Sequence, residues 1–199
     1  MRAARLWPVA GVDEAGRGAC AGPLVAAAVI LSDEPDRAVA GLNDSKALTA
    51  AARERLHGAI VERAVAVSWV AVAPADCDAW GVQAANLAAL RRAAWRLAVR
   101  PAFVVTDGFA VDGLPAPGLG LWKADQVLSC VQAASIVAKV TRDRLMAELD
   151  AAFPGYGFAR HKGYGTAAHQ RRLEELGPSP AHRLSYANVQ RAVAGRLGV

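Results

Sequence analysis

Two short apolar runs, residues 9–13 (Val-Ala-Gly-Val-Asp) and 23–31 (Pro-Leu-Val-Ala-Ala-Ala-Val-Ile-Leu), flank the turn Gly16-Arg17-Gly18-Ala19-Cys20-Ala21-Gly22, in which three of seven residues are glycine. Runs this short and this apolar, separated by glycines that break a helix, read as two neighbouring and largely buried strands. The rest of the chain must cover both faces of that pair.

Beyond residue 31 strands and helices alternate. Thr49 is placed to cap a helix whose apolar positions include Leu56, Ile60 and Val61. Valines 65, 67, 70 and 72 around Trp69 predict a third strand, and Val82, Leu87, Leu90, Ala94 and Leu97 an amphipathic helix over 82–98. Phe103-Val104-Val105-Thr106 reads as a strand ending at Asp107-Gly108. A Gly/Pro-rich loop (108–120) and a short strand near Leu119–Trp122 come next. A long helical pattern then runs to about residue 152, stopped by Pro154-Gly155. Beyond it lie a Gly/Tyr/His-rich loop (155–165), a helix from Thr166 to Leu176 closed by Gly177-Pro178, and a last helix near 187–197. Strands first, then strand and helix in alternation, then helices alone predict an α/β sheet layered by helices. The expectation is one domain over 1–199, with 155–199 a small helical C-terminal appendage.

Composition narrows the class. The chain of 199 residues is 54% hydrophobic and 21% charged, which excludes disorder of the whole. No apolar stretch approaches the roughly 18 residues of a membrane helix. Met1–Pro8 carries two arginines but no apolar segment of a signal peptide, so a cytoplasmic, monomeric protein without membrane contact is expected. Cys20, Cys77 and Cys130 are few and far apart, which argues against a disulfide framework or a zinc site. The net charge of +5 is unevenly distributed. Residues 1–90 hold eight Lys and Arg against ten Asp and Glu, net −2, and residues 91–199 hold fifteen against eight, net +7. A one-sided basic footprint suits a phosphate-backbone partner, although a soluble surface alone could also show it.

Acids sit where strands end: Asp13-Glu14 after the first, Asp107 after a later one, and Asp125 just past the last. Ligand sites of open α/β sheets gather at such ends. Converging carboxylates would repel by about 4 kcal/mol per pair at 4 Å and an effective dielectric of 20, so something must neutralise them. A shared proton or a cation would serve, and oxygen-only ligation without a nearby Cys or His favours Mg²⁺ or Mn²⁺ over zinc. Paired ions with a basic surface suggest phosphodiester hydrolysis. The bland alternative makes these acids solvated turn formers or caps. Asp13 and Glu14 are also adjacent, so both reach one site only if the chain leaves the extended form there, a departure that Gly16 and Gly18 would ease.

The segments Gly11-Val-Asp-Glu-Ala-Gly-Arg-Gly18, Ala21-Gly-Pro-Leu-Val25, Leu42-Asn-Asp-Ser-Lys46 and Asp107-Gly108 resemble the signature of ribonuclease HII, the type 2 ribonucleases H. So do the run from Ala133 to Met146, Pro154-Gly-Tyr-Gly-Phe158, His161-Lys-Gly-Tyr-Gly-Thr166 and Gly177-Pro-Ser-Pro-Ala-His-Arg183. These blocks occur in the family order over nearly the whole chain. The resemblance implies a ribonuclease H-like mixed five-stranded sheet flanked by helices. It implies hydrolysis of RNA in RNA–DNA hybrids and cutting 5′ of single ribonucleotides in duplex DNA, by a two-metal mechanism that leaves 3′-hydroxyl and 5′-phosphate ends.

The same resemblance makes Asp13, Glu14, Asp107 and Asp125 the ligands of two divalent ions, Mg²⁺ or Mn²⁺. The glycine that commonly precedes the last Asp is here Ala124. Gly16, Arg17 and Gly18 correspond to the family turn that approaches the ribose 2′-hydroxyl. Tyr164 corresponds to the tyrosine that packs on the sugar at the ribo-to-deoxyribo junction. Lys46, Arg142 and Lys162 are expected to neutralise phosphates, with Ser45 and Ser135 as weaker polar candidates, and 155–199 is expected to bind substrate. His161, His169 and His182 could carry protons or stabilise loops, the last two being expected to be structural. The sister ribonuclease HIII shares the fold and chemistry but usually carries an additional N-terminal domain, and only ten residues precede the motif here. A silent binder of RNA–DNA hybrids would keep the basic surface and use the acids only as turns.

Overall fold

The computed structural model describes residues 6–197; Arg2 and Arg5 of the N-terminal stretch lie outside the described residues. The elements are β1 (Val9–Ala15), β2 (Leu24–Ile30), α1 (Ala50–Arg63), β3 (Ala66–Val72), α2 (Pro74–Trp80), α3 (Val82–Trp95), β4 (Phe103–Asp107) and β5 (Gly118–Leu121). The chain continues with α4 (Ser129–Ala152), α5 (Phe158–His161), α6 (Ala167–Leu176) and α7 (Ala187–Leu197). The strands form one sheet in the order β3-β2-β1-β4-β5. Its pairing is mixed: β1 runs antiparallel to β2 and parallel to β4, and β4 runs parallel to β5. The expected five-stranded sheet with flanking helices is therefore present.

The chain divides into two compact units. The first comprises residues up to 15, 25–70 and 86–140, and the second residues 16–24, 71–85 and those from 141 on. The predicted C-terminal segment thus shares its unit with two pieces from early in the chain.

The seven residues of β2 show no alternation: all are buried, as its unbroken apolar run requires of a strand covered on both faces. Each fully buried Val or Ile there contributes about 1.5–3 kcal/mol. Thr49 caps α1 as expected, its side chain accepting from Ala52 N at 3.2 Å. β1 lies directly against the start of α4. A Cβ at Gly11 would overlap the Cys130–Val131 peptide, so only glycine permits this approach.

In the second unit Thr166 caps α6 by accepting from His169 N, and Gly177 ends it at φ 79°. One core cluster joins Ala21, Met146, Tyr156, Phe158 and Ala181, and another joins Cys20, Leu173, Val189 and Ala192. Helix α2 has no counterpart in the sequence reading. It is one seven-residue piece opened by Pro74 and closed by Gly81, too short to display a helical period. No described helix is long and apolar enough to cross a membrane.

Candidate active site

The acids of the first unit are brought together by strand register. β1 and β4 pair with Val12 opposite Thr106, so Asp13 and Asp107 leave neighbouring parallel strands at the same end. Asp107 is opposite Leu121 of β5. The chain then turns through Lys123, at φ 59°, into a single 3-10 turn (Ala124–Gln126) that returns Asp125 to the pair. Asp125 N donates to Asp107 Oδ1 at 3.4 Å. Carboxylate oxygens of Asp13, Asp107 and Asp125 all lie within 4.8 Å of one another.

Burial makes this crowding costly. Asp13 is 6% exposed and Asp125 3%. Burial, then the charges of Glu14 and Asp107, push the Asp13 carboxyl well above its usual range, although hydrogen bonds from Ser135 and from Glu14 N (2.7 Å) oppose the shift. Asp107 is raised as well, first by burial and then by Asp125. Three hard oxygen donors with repelling charges and neither thiol nor imidazole in the group are a donor set for Mg²⁺ or Mn²⁺. Glu14 lies outside this trio. β1 stays extended through Ala15, so the departure that would bring both acids to one site is not made, and successive residues of a strand take opposite faces.

Lys46 Nζ sits 3.3 Å from Asp125 Oδ2 while most of its side chain remains exposed. Burial alone would lower its pKa, but the charges of Asp125, Asp44 and Asp13 outweigh that and raise it. Ser45 and Ser135 are buried, not facing phosphates: their Oγ atoms bond at 2.8 Å, and Ser135 also bonds Asp13. They carry support from the loop before α1 and from α4 to the first ligand.

The second unit holds the remaining predicted residues. Gly16, at φ 88°, packs where a Cβ would strike the Arg142 guanidinium. Arg17 and Gly18 are exposed, and Arg17 Nη2 donates to Gln83 Oε1 at 3.0 Å. Tyr164 is 40% exposed. Lys162 is partly buried at φ 53°, its Nζ donating to Asp143 O at 3.3 Å.

Arg142 corrects the sequence reading. It is fully buried and donates to Pro23 O (2.9 Å), Lys162 O (2.8 Å) and Ala21 O (3.0 Å), so its charge ties two loops together through three carbonyls and does not meet a phosphate. Its guanidinium carbon also lies 5.6 Å from the Tyr164 ring centroid. Burial lowers its pKa to about 10, a value at which it stays charged at neutral pH. Arg144, two residues on, takes the exposed face of α4 instead.

His169 and His182 are buried, as expected of structural histidines. Sequence reasoning missed Arg183, which donates to Gly22 O and Arg17 O, and Asp78, whose carboxylate accepts from Leu184 N and Ser185 N. For Arg183 a signal existed: an arginine inside an apolar, histidine-containing turn has no solvent to face.

The profile of a family described as Ribonuclease HII matches residues 10–189. The chain belongs to the ribonuclease HII family. Ribonuclease HII of Cutibacterium acnes is 64% identical over 189 residues, covering 95% of this chain and 93% of that protein. Ribonuclease HII of Salinispora arenicola is 58% identical over 190 residues, covering 96% and 70%. Among solved structures, ribonuclease H2 of Pyrococcus horikoshii superposes with a TM-score of 0.81 at 29% identity, covering 92% of this chain and 96% of that one. As a ribonuclease HII the protein is a metal-dependent type 2 ribonuclease H, a hydrolase.

Proposed function

We propose that the protein hydrolyses the RNA strand of RNA–DNA hybrids and cuts 5′ of single ribonucleotides in duplex DNA, leaving 3′-hydroxyl and 5′-phosphate ends. The observation that carries this reading is the trio Asp13, Asp107 and Asp125, with oxygens within 4.8 Å, in a chain of this family. Asp13, Asp107 and Asp125 would hold divalent cations, Mg²⁺ or Mn²⁺, and Glu14, outside the trio, adds a negative charge beside Asp13 that favours a cation there. A pair of such ions supplies Lewis-acid activation of water and charge stabilisation at the leaving oxygen.

The residues of the chain do the rest. Ser135 orients the Asp13 carboxylate from α4, and Lys46 balances Asp125 while leaving most of its length exposed to an incoming phosphate. Gly16 and Gly18 offer backbone groups to a ribose 2′-hydroxyl, the group that separates RNA from DNA, and Arg17 and Lys162 add positive charge. Tyr164, which is exposed, packs on the sugar at the ribo-to-deoxyribo junction. The basic second half of the sequence, net +7, supplies the attraction to the duplex. The protein acts as a cytoplasmic monomer.

Cleavage of duplexes bearing one or several ribonucleotides, in Mg²⁺ and in Mn²⁺, tests the reading. It expects cutting of both substrates and loss of both with Asp107→Asn. Cleavage that survives Asp107→Asn undiminished overturns the metal site and leaves a hybrid-binding protein.

A further inference from the structure

The loop that carries Tyr164 is held by a hydrogen-bond chain whose direction can be worked out from its two ends. Ser179 N donates to His182 Nδ1 at 2.9 Å. A backbone N–H has no alternative role, so Nδ1 is an acceptor, and the proton of the neutral ring resides on Nε2. His182 Nε2 lies 3.0 Å from His169 Nε2, and so donates to it. The remaining proton of His169 therefore resides on Nδ1, 3.0 Å from the carbonyl oxygen of Tyr164, which can only accept. One tautomer assignment satisfies all three bonds.

The surroundings hold both rings in place. His169 stacks on His161 with centroids 4.1 Å apart, and Phe158 presents its ring to both His169 and His182. His161 closes the same loop from its other side: its Nδ1 accepts from Gly163 N at 3.2 Å, so its Nε2 donates to Tyr156 O at 2.8 Å. The two chain-forming histidines are 1% and 2% exposed, whereas Tyr164 is 40% exposed. Buried donors thus end on the backbone of an exposed aromatic residue.

We propose that His182 and His169 are positioning residues that fix the Tyr164 backbone, and through it the ring, in the orientation that reads the ribo-to-deoxyribo junction. The inference rests on the junction role proposed for Tyr164. Neither histidine touches substrate; His169 acts through the carbonyl of Tyr164, and His182 acts by setting the tautomer of His169.

A double-mutant cycle tests it, using kcat/KM for a duplex with a single ribonucleotide and for a uniform RNA–DNA hybrid. Tyr164→Ala lowers single-ribonucleotide cutting selectively. His169→Leu, which removes the donor, lowers the same ratio by about tenfold, the scale of a small misplacement of a substrate-contacting group. His169→Asn, which returns an N–H near the Nδ1 position, restores most of it. Adding His169→Leu to Tyr164→Ala lowers the ratio no further, because the group being positioned is already gone.

An additive double variant, or a His169→Leu enzyme that keeps the wild-type ratio, overturns the inference and leaves the junction role intact. A Tyr164→Ala enzyme with the wild-type ratio overturns the junction role itself. Should His169→Leu not fold, ¹⁵N NMR of the wild-type imidazoles decides: His182 protonated at Nε2 and His169 at Nδ1 is expected, and any other neutral tautomer of either ring overturns the chain.

Discussion

The two units treat buried polar groups in opposite ways. In the first, Asp13, Asp107 and Asp125 are packed with like charges as neighbours, and Lys46, largely exposed, offsets only part of the repulsion. In the second, Arg142 and Arg183 are fully buried, yet the donors of each meet backbone carbonyls, and the two buried histidines satisfy each other. A buried polar group left short of partners is a place built for something to arrive, while a satisfied one is part of the scaffold. By this contrast the first unit holds the candidate site, and the second satisfies its buried charges within its own loops.

Breaking the first half of the contrast has the largest expected effect. Asp13→Asn or Asp107→Asn lowers hybrid cleavage by about a thousandfold or more, since several kcal/mol of transition-state charge stabilisation is lost with a ligand. Initial rates in Mg²⁺ check this. Arg142→Met removes donors from three buried carbonyls and costs about 3 kcal/mol of stability in denaturant unfolding, with loss of cleavage secondary to it.

The histidine pair gives a pH dependence of known sign. Burial lowers both pKa values to about 4 from an ordinary 6.5, so between these values the unfolded chain binds more protons than the folded one. Their contribution is complete above pH 6.5, is lost as the pH falls through the window, and levels off below about 4. The expected slope is roughly 1 kcal/mol per pH unit for each histidine in urea unfolding, and His182→Gln about halves the total.

The smallest effect has the opposite sign for the acids. The raised pKa of Asp13 means that its charged form weakens the metal-free fold, increasingly as the pH rises above the usual carboxylate range. Asp13→Asn therefore raises the melting temperature of metal-free protein at neutral pH by roughly 3 °C. Wild-type protein gains a similar amount from Mn²⁺, and the variant does not.

The chemical half of this contrast was largely legible in the sequence, because strand ends and their acids are local features. Asp13, Asp107 and Asp125 come after apolar runs short enough to be strands, and register does the rest. Thr49 was legible as a cap for the same reason, and Thr166, read as the first residue of its helix, is instead its cap. The scaffold half was hidden. Arg142 reads as one more surface charge, although it stands four residues from buried Ala138 and four from buried Met146, on the apolar face of α4. What its guanidinium meets there, carbonyls from residues 21 and 23, is set by contacts more than a hundred residues distant in sequence.

The bare Cα of Gly11 sets a tolerance for the acidic trio. The strand that ends in Asp13 and the helix that sends Ser135 to it are separated at this point by no side chain at all. Position 11 is thus a spacer of zero thickness. Even alanine, the smallest insertion chemistry allows, would wedge the helix away from the strand and change the gap between a ligand and its support two residues downstream.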